Sequence, residues 1–89
     1  MMRLYEWRGE VGFEEACSST AFCTMWAVAL THAGAAKLMA YHMVTHHMFL
    51  VHESESEASI AEELAPYINE VAVSPLHDSG IVAVNLMGR

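Results

Sequence analysis

The stretch HMFLVHESESEASIAEELAPYINEVAVSP, residues 47–75, decides the predicted fold, because it indicates a strand, a capped helix and a second strand. Ser54 and Glu57 have the spacing of a capping box, and Ser56 is a second candidate for the N-cap. Glutamates in the first turn favour this start, since they lie at the positive end of the helix dipole. The sequence therefore predicts a helix that begins near Ser54.

The apolar residues of this predicted helix repeat every four positions and give it one apolar face: Ile60, Leu64 and Ile68. Pro66 lacks an amide donor, so we expect the helix to end between Pro66 and Ile68. The flanking segments, residues 48–51 and 71–73, are short apolar runs of the kind found in buried strands. Together these signals predict a strand, a helix and a strand.

The composition is very apolar for so short a chain: of 89 residues, 54% are apolar and 17% are charged. A chain of this length forms one domain, and it buries only about 60% of the surface that it exposes when unfolded. Since so small a domain has little room for its apolar side chains, we expect part of the sheet or of the first helix to lie in a subunit interface. The sequence thus predicts a single-domain homodimer over residues 1–89.

The charge and the cysteines indicate the surroundings of the protein. A net charge of −7 disfavours nucleic acids and anionic membranes as partners. The apolar run over residues 21–36 contains Thr24 and ends at Lys37, short of the about 20 residues that a membrane span needs. No secretory signal pattern opens the chain, and Cys17 and Cys23 are interpreted as free, buried thiols. These features predict a cytoplasmic protein without a nucleic-acid or membrane partner.

The first part of the chain predicts one strand and one long helix. Residues 2–8 mix aromatic and aliphatic side chains and indicate a strand, and residues 9–12 indicate a turn. The following apolar residues occupy most sides of a helical projection. We therefore expect a helix over residues 13–33, with Gly34 as its C-cap.

The next segment, KLMAYHMVTHHMFLVHE, is harder to interpret, because a single strand of that length would be about three times the usual length. We predict two antiparallel strands, residues 38–44 and 47–53, with a turn near Thr45 and the residue that follows it. The alternative is that the preceding helix continues through Tyr41 and Met43.

The remaining chain predicts two more strands, over residues 69–76 and 81–87, joined by a turn at residues 77–80. The predicted order of elements is therefore β-α-β-β-α-β with an added C-terminal strand. This is an α+β, ferredoxin-like arrangement, which contains a split βαβ unit.

The second half of this arrangement resembles small proteins of the dimeric α/β-barrel superfamily over residues 49–78. A strand that ends in Glu53, an acidic-capped helix from Ser54, Tyr67 near the end of that helix and a valine–serine–proline step at residues 73–75 carry the resemblance. The superfamily is similar in fold to muconolactone isomerase and to the antibiotic-biosynthesis monooxygenases. The resemblance implies two subunits that press their sheets together around a central cavity. It implies no catalytic residue.

Six histidines raise the question of a metal site. His42, His46 and His47 have the spacing of a di-iron histidine box, but the membrane enzymes that use such boxes carry several of them. On a helix, His42 and His46 could share an ion, whereas on a straight strand they would lie about 13 Å apart. Since strands are predicted here, we expect no metal site, and a histidine-based metal binder is kept only as a third hypothesis.

Other signatures of chemistry are weak. The serines and cysteines of the predicted first helix lack the sharp turn that exposes a nucleophile. His77 and Asp78 fit a plain turn. Gly9 and Gly12 are too close together for a phosphate-binding loop, so no cofactor is predicted.

We expect the ligand site to consist of aromatic and histidine side chains around an enclosed cavity: Trp7, Tyr41, His42, Phe49 and His52. The aromatic rings and neighbouring methionines would supply apolar contacts, and His42 or His52 would orient the ligand. The predicted function is a homodimer that binds a small apolar or aromatic molecule, either as a binding protein or as a cofactor-independent enzyme. The alternative is a structural or regulatory dimer with no ligand.

Overall fold

The computed structural model describes residues 1–13, 16–50 and 56–88, and of residues 16–19 it describes only the backbone. Over these residues the chain is an α+β protein, in which an antiparallel sheet of five strands packs against two α-helices. The predicted α+β class is confirmed, and the architecture is compatible with a ferredoxin-like fold. The order of elements is β-β-α-β-α-β-β, which differs from the order predicted from the sequence.

The centre of the sheet is a long hairpin of β1 (Arg3–Phe13) and β2 (Ala16–Ala29). Their antiparallel ladder extends along the whole of β1, with one irregularity after Gly12. The outer edge of β2 pairs antiparallel with β5 (Gly80–Gly88), so β5 belongs to the sheet of its own chain. β5 carries no charged residue, and no described strand pairs with its other edge.

Two short strands share the other edge of β1. β3 (Met48–Leu50) pairs with residues 11–13 of β1, and β4 (Asn69–Val73) pairs with residues 3–6. Within the described ranges, residues 7–10 of β1 have no strand beside them on this edge. The edge is therefore covered at both ends of β1, with a gap between the two short strands.

The first helix, α1 (His32–Thr45), begins at an N-cap formed by Thr31. The hydroxyl of Thr31 accepts a hydrogen bond from the amide of Gly34 at 3.0 Å, which satisfies one of the free donors in the first turn. A turn that contains His47, with a φ of 55°, leads from α1 into β3. Gly34 thus lies near the start of the helix and does not end it.

The second helix, α2 (Glu57–Leu64), begins at Ser56, which forms a reciprocal capping box with Ser59. A 3₁₀ turn (Ala65–Tyr67) follows directly and contains Pro66. This agrees with the expected end of the helix near the proline, because a proline ring cannot supply the next amide donor.

The core lies on the side of the sheet that the helices cover, which we call the closed face. Its strand residues are Tyr5, Trp7, Val11, Ala21, Cys23, Met25, Ala27, Ala29, Met48 and Leu50. Small side chains on α1 pack against them and allow the helix to come close to the sheet: Ala35, Ala36 and Ala40, with Met39 and Met43 filling the space between. All the buried residues of both helices belong to this one core.

The opposite side of the sheet, the open face, holds the alternate residues of the same strands. Its members, given by the strand register, include Leu4, Glu6, Arg8, Phe22, Thr24, Trp26 and Met87. Neither helix packs its buried residues here, and Phe22 and Met87 remain 54% and 64% exposed.

The helix predicted over residues 13–33 is wrong, because residues 16–29 form β2. From residue 21 to residue 27 the burial alternates with a period of two, so that Cys23 and Met25 point inward and Phe22 and Trp26 point outward. Since apolar residues occupy both faces of this strand, the sequence has no polar side that would reveal the period.

The strand predicted over residues 38–44 is also wrong, because these residues belong to α1. Tyr41 and Met43 are helical, as the alternative interpretation held, but their helix starts at His32 and is separate from the preceding segment. Residues 35–40 of this helix are alanine, lysine, leucine and methionine, which are among the strongest helix formers.

Several other predictions are confirmed. β4 and β5 lie within one or two residues of their predicted starts, and β3 lies inside its predicted range. α2 buries Ile60 and Leu64, and Ile68, directly after the 3₁₀ turn, is buried as well, as the four-residue repeat predicted. Its N-cap is the second candidate, Ser56, while Ser54 lies outside the described residues.

Candidate functional site

An open cleft of about 560 Å³ lies beside the gap between β3 and β4. Its walls come from the exposed middle of β1, from the end of β3 and from the end of α2 with the following 3₁₀ turn. The lining residues are Trp7, Arg8, Gly9, Glu10, Leu50, Glu63, Leu64, Pro66 and Tyr67. The cleft thus lies where the middle of β1 has no strand beside it and where β3 and α2 end.

The cleft has an apolar interior. Trp7, Leu50 and Leu64 are buried members of the core, and they form the part nearest the sheet. Tyr67, 68% exposed, and Pro66 lie on the outer side. An apolar concave surface with aromatic rings and a few polar groups is the usual form of a small-molecule site.

Gly9 determines the position of the tryptophan ring in this cleft. A Cβ atom at Gly9 would overlap the six-membered ring of Trp7, so the ring lies directly against the glycine backbone. Both residues are on the closed face, two positions apart on β1, where side chains point the same way. The absence of a side chain at Gly9 therefore lets the indole lie flat along the strand at the wall of the cleft.

The polar residues beside the cleft are charged and of both signs. Arg8 forms an ion pair with Glu6, with its Nε 3.1 Å from a carboxylate oxygen. Glu6 also accepts a hydrogen bond from the indole N–H of Trp26 at 2.9 Å. Glu10 accepts from the hydroxyl of Thr20 at 3.4 Å. These contacts hold the carboxylates of β1 in place on the open face next to the cleft.

The predicted ligand residues do not meet in one place. Trp7 lines the cleft on the closed face, whereas Phe49 pairs with Gly12 and lies on the open face. Tyr41, 60% exposed, and His42 are on α1 and do not line the cleft. His52 lies outside the described residues. Ligand binding by these five residues stays a prediction, and of the four that the structure describes, only Trp7 lines the cleft.

Sequence reasoning missed the lining that α2 and its 3₁₀ turn contribute. Leu64 was assigned to an ordinary apolar helix face, and Tyr67 was noted only as a mark of resemblance. The signal that could have found them is the sequence Leu-Ala-Pro-Tyr, residues 64–67, which stops a helix and leaves an aromatic residue exposed at its end.

The imidazole rings of His42 and His46 are stacked on α1, with centroids 3.9 Å apart and planes inclined by 22°. Burial, and after it the nearby His46, lowers the pKa of His42. His42 therefore favours its neutral form more strongly than an ordinary histidine. The helix places these rings together, where the predicted strand would have separated them.

The thiol of Cys23 is 1% exposed in the core, and burial raises its pKa from 9.0 to about 11. It is free, in agreement with the sequence analysis. A thiol that stays protonated at neutral pH is a poor nucleophile. Cys23 is consequently a packing residue, while the side chain of Cys17 lies outside the described part of the chain.

Comparison with protein-family models, with curated proteins and with solved structures gave no match. The described helices include none that is long and apolar enough to cross a membrane. Across residues 1–13, 16–50 and 56–88, no group of three or more histidine, cysteine or acidic side chains is placed to hold a metal ion.

Proposed function

We propose that this protein is a homodimer that binds a small apolar or aromatic molecule in the cleft beside Trp7. The observation that carries the proposal is the cleft itself, because a buried indole, two buried leucines, a proline and an exposed tyrosine surround one concavity. Such a surface gives binding energy through apolar contact and ring stacking. The ligand is bound as a cargo, or as the substrate of a reaction that needs no cofactor.

The size of the cleft supports a small ligand. About 560 Å³ lies within the range of about 300–1,000 Å³ that is common for small-molecule sites. Tyr67 is the last residue of the 3₁₀ turn, and its ring is mostly exposed at the mouth of the cleft. In this proposal Trp7 and Leu64 form a fixed wall, and Tyr67 closes over a ligand from the outside.

The dimer part of the proposal is supported by the open face. Phe22 and Met87 face each other across the β2–β5 ladder and are both more than half exposed, and Trp26 lies nearby on β2. A large exposed apolar patch often marks a protein–protein contact. A second copy of the sheet would cover them, in keeping with the resemblance to dimeric α/β-barrel proteins.

A structural or regulatory dimer without a ligand is the second candidate. The same exposed pair, Phe22 and Met87, supports it, because exposed apolar side chains favour a protein contact whether or not the cleft is used. The two candidates share the dimer and differ only at the cleft, so ligand binding separates them.

Fluorescence titration with 2-naphthol tests the cleft. The variant Trp26→Phe leaves Trp7 as the only tryptophan, so its emission reports on the cleft directly. We expect saturable quenching, and in the same background Tyr67→Ala should weaken binding about fivefold, since an aromatic contact contributes about 1 kcal/mol. Tyr41→Ala is the matched control, because Tyr41 is similarly exposed but does not line the cleft.

Two results would count against the ligand proposal. Equal affinity in the Tyr67→Ala and Tyr41→Ala variants would place the naphthol elsewhere. Absence of saturable quenching by 2-naphthol and by a panel of other aromatic and lipophilic molecules would leave the dimer without a ligand as the better function.

A further inference from the structure

The end of α1 presents two histidine rings to solvent. His42 and His46 are four residues apart, so the helix places them one above the other on the same side. His46 is exposed and His42 is half-exposed, and neither belongs to the buried core. The packing of the fold does not require imidazoles at both positions.

The ring of His46 is oriented by the backbone. Its Nδ1 lies 2.9 Å from the carbonyl oxygen of His42 and 3.2 Å from the hydroxyl oxygen of Thr45. The carbonyl can only accept, so Nδ1 carries the proton of this bond and Nε2 carries the free lone pair. The Thr45 hydroxyl also approaches the carbonyl oxygens of Tyr41 and His42, both at 3.0 Å, where it can only donate.

This arrangement is typical of a histidine prepared to bind a metal. Histidine ligands generally donate one ring N–H to a carbonyl or carboxylate, which fixes the tautomer and turns the other nitrogen outward. In His46 the carbonyl of His42 has that role. His42 therefore supplies both the carbonyl that orients the ring of His46 and the second imidazole of the pair.

We propose that His42 and His46 form a two-imidazole binding site for a borderline divalent transition-metal ion, of the class of Ni²⁺, Zn²⁺ and Cu²⁺. Two nitrogens that each lie about 2.0–2.1 Å from one ion are about 3–3.5 Å apart. The ring centroids are 3.9 Å apart, and side-chain rotations that take the rings out of their stack turn the two free nitrogens toward a common ion. Imidazole nitrogens select these ions over Mg²⁺ or Ca²⁺.

The site leaves coordination positions open. Because no third histidine, cysteine or acidic side chain joins the pair among the described residues, water or an external ligand completes the coordination. This inference is independent of the proposed function, since neither histidine lines the cleft.

Calorimetric titration of tag-free protein with Ni²⁺ alone tests the site. We expect one ion per chain. His42→Ala and His46→Ala should each weaken Ni²⁺ binding about tenfold or more, because removing a ligand costs at least as much affinity as removing a residue that only supports a ligand. His77→Ala is the matched control, because it removes an exposed imidazole from the segment between β4 and β5. Mg²⁺ should give no binding in any variant.

A second measurement keeps the inference testable without any substitution. Diethyl pyrocarbonate modifies accessible imidazoles, and mass spectrometry locates the modified residues. Ni²⁺ should protect His42 and His46 but not His77. Affinity for Ni²⁺ within twofold of the wild type in both single variants, or equal protection of all three histidines, would overturn the assignment.

Discussion

The closed and open faces of the sheet are made by alternate residues of the same strands, yet their apolar side chains differ greatly in exposure. On the closed face of β2, Met25 and Cys23 are 0% and 1% exposed. On the open face, Phe22 is 54% exposed, and Met87 opposite it on β5 is 64% exposed. The closed face holds mostly small and sulfur-containing residues, whereas the largest rings of β2 point outward.

The small residues of β2 let α1 come close to this part of the closed face, whereas β1 buries the larger rings of Tyr5 and Trp7 on the same face. Alanines on both α1 and β2 let the helix come close to the sheet, and the methionines fill the irregular gaps that remain. The following experiments test the difference between the two faces.

The largest effect is expected from shortening a methionine on the closed face. Met25→Ala should lower the free energy of unfolding by about 2–5 kcal/mol, because it leaves a cavity in the core. Met87→Ala is the same chemical change on the open face. In dilute protein it should change the free energy of unfolding by no more than about 0.5 kcal/mol. Urea unfolding followed by circular dichroism measures both. Equal losses would contradict the distinction between the faces.

The second effect concerns the buried thiol of the closed face. Since burial raises the pKa of Cys23 from 9.0 to about 11, a difference of 2 pK units, its thiolate fraction at pH 8 falls about a hundredfold. In a Cys17→Ser background, iodoacetamide should modify folded protein at least about a hundredfold more slowly than protein unfolded in urea. A rate within tenfold of the unfolded protein would show that Cys23 is accessible.

The same pKa shift has a consequence for stability. The native state keeps the proton on Cys23, while the unfolded chain loses it above pH 9.0. The contribution of this thiol to stability is therefore fully present below pH 9.0 and is lost as the pH rises toward about 11.

A third, intermediate effect is expected at the wall of the cleft. Gly9→Ala should destabilise the protein by about 1–3 kcal/mol, because the new methyl group displaces the buried ring of Trp7. It should also shift the emission of Trp7 in the Trp26→Phe background. Gly80→Ala is the control, since a Cβ atom there meets nothing within 4 Å. A Gly9→Ala variant as stable as the wild type would mean that the ring of Trp7 has room to move.

The smallest effect on the folded subunit, and the most direct test of the dimer, is expected on the open face. Met87→Lys should change the stability of the subunit by less than about 0.5 kcal/mol but should lower the fraction of dimer in analytical ultracentrifugation. Val44→Lys places the same charge on the exposed side of α1, away from the sheet face. A monomeric wild type would remove the dimer from the proposed function.

The later part of the chain was predictable because its signals agree with one another. The serine cap, the four-residue spacing of Ile60 and Leu64, and the proline at residue 66 all indicate the same short helix. The apolar runs on either side of it are too short to be anything but strands. β3, α2, β4 and β5 were accordingly assigned correctly, apart from their exact ends.

The earlier part failed because β2 and α1 have nearly the same kind of composition. Each contains four alanines, and β2 is apolar on both faces, so neither has a clear period. Gly34 was predicted to end one helix, but it lies in the first turn of another, where its amide donates to the hydroxyl of the N-cap Thr31. The wrong prediction put His42 on a strand and His46 in the following turn, and so hid their proximity on α1.

The candidate site was predictable only at Trp7. An aromatic residue on a first strand suggested a pocket wall, but the other walls depend on where β3 and β4 stop along β1. Such a gap results from tertiary pairing, which no local pattern encodes. Tyr67 enters the cleft for the same reason, through the docking of α2 on the sheet.

The position of β5 has a consequence for how the chain is made. β2 can pair with β1 as soon as both have left the ribosome, because the hairpin is local in sequence. The other edge of β2 stays unpaired until β5 is made, and β5 is synthesised only after α1, β3, α2 and β4. During that interval the nascent chain exposes a bare strand edge with apolar side chains, a feature that attracts chaperones and neighbouring chains. Slow translation between β4 and β5 would lengthen this exposure and favour aggregation over folding.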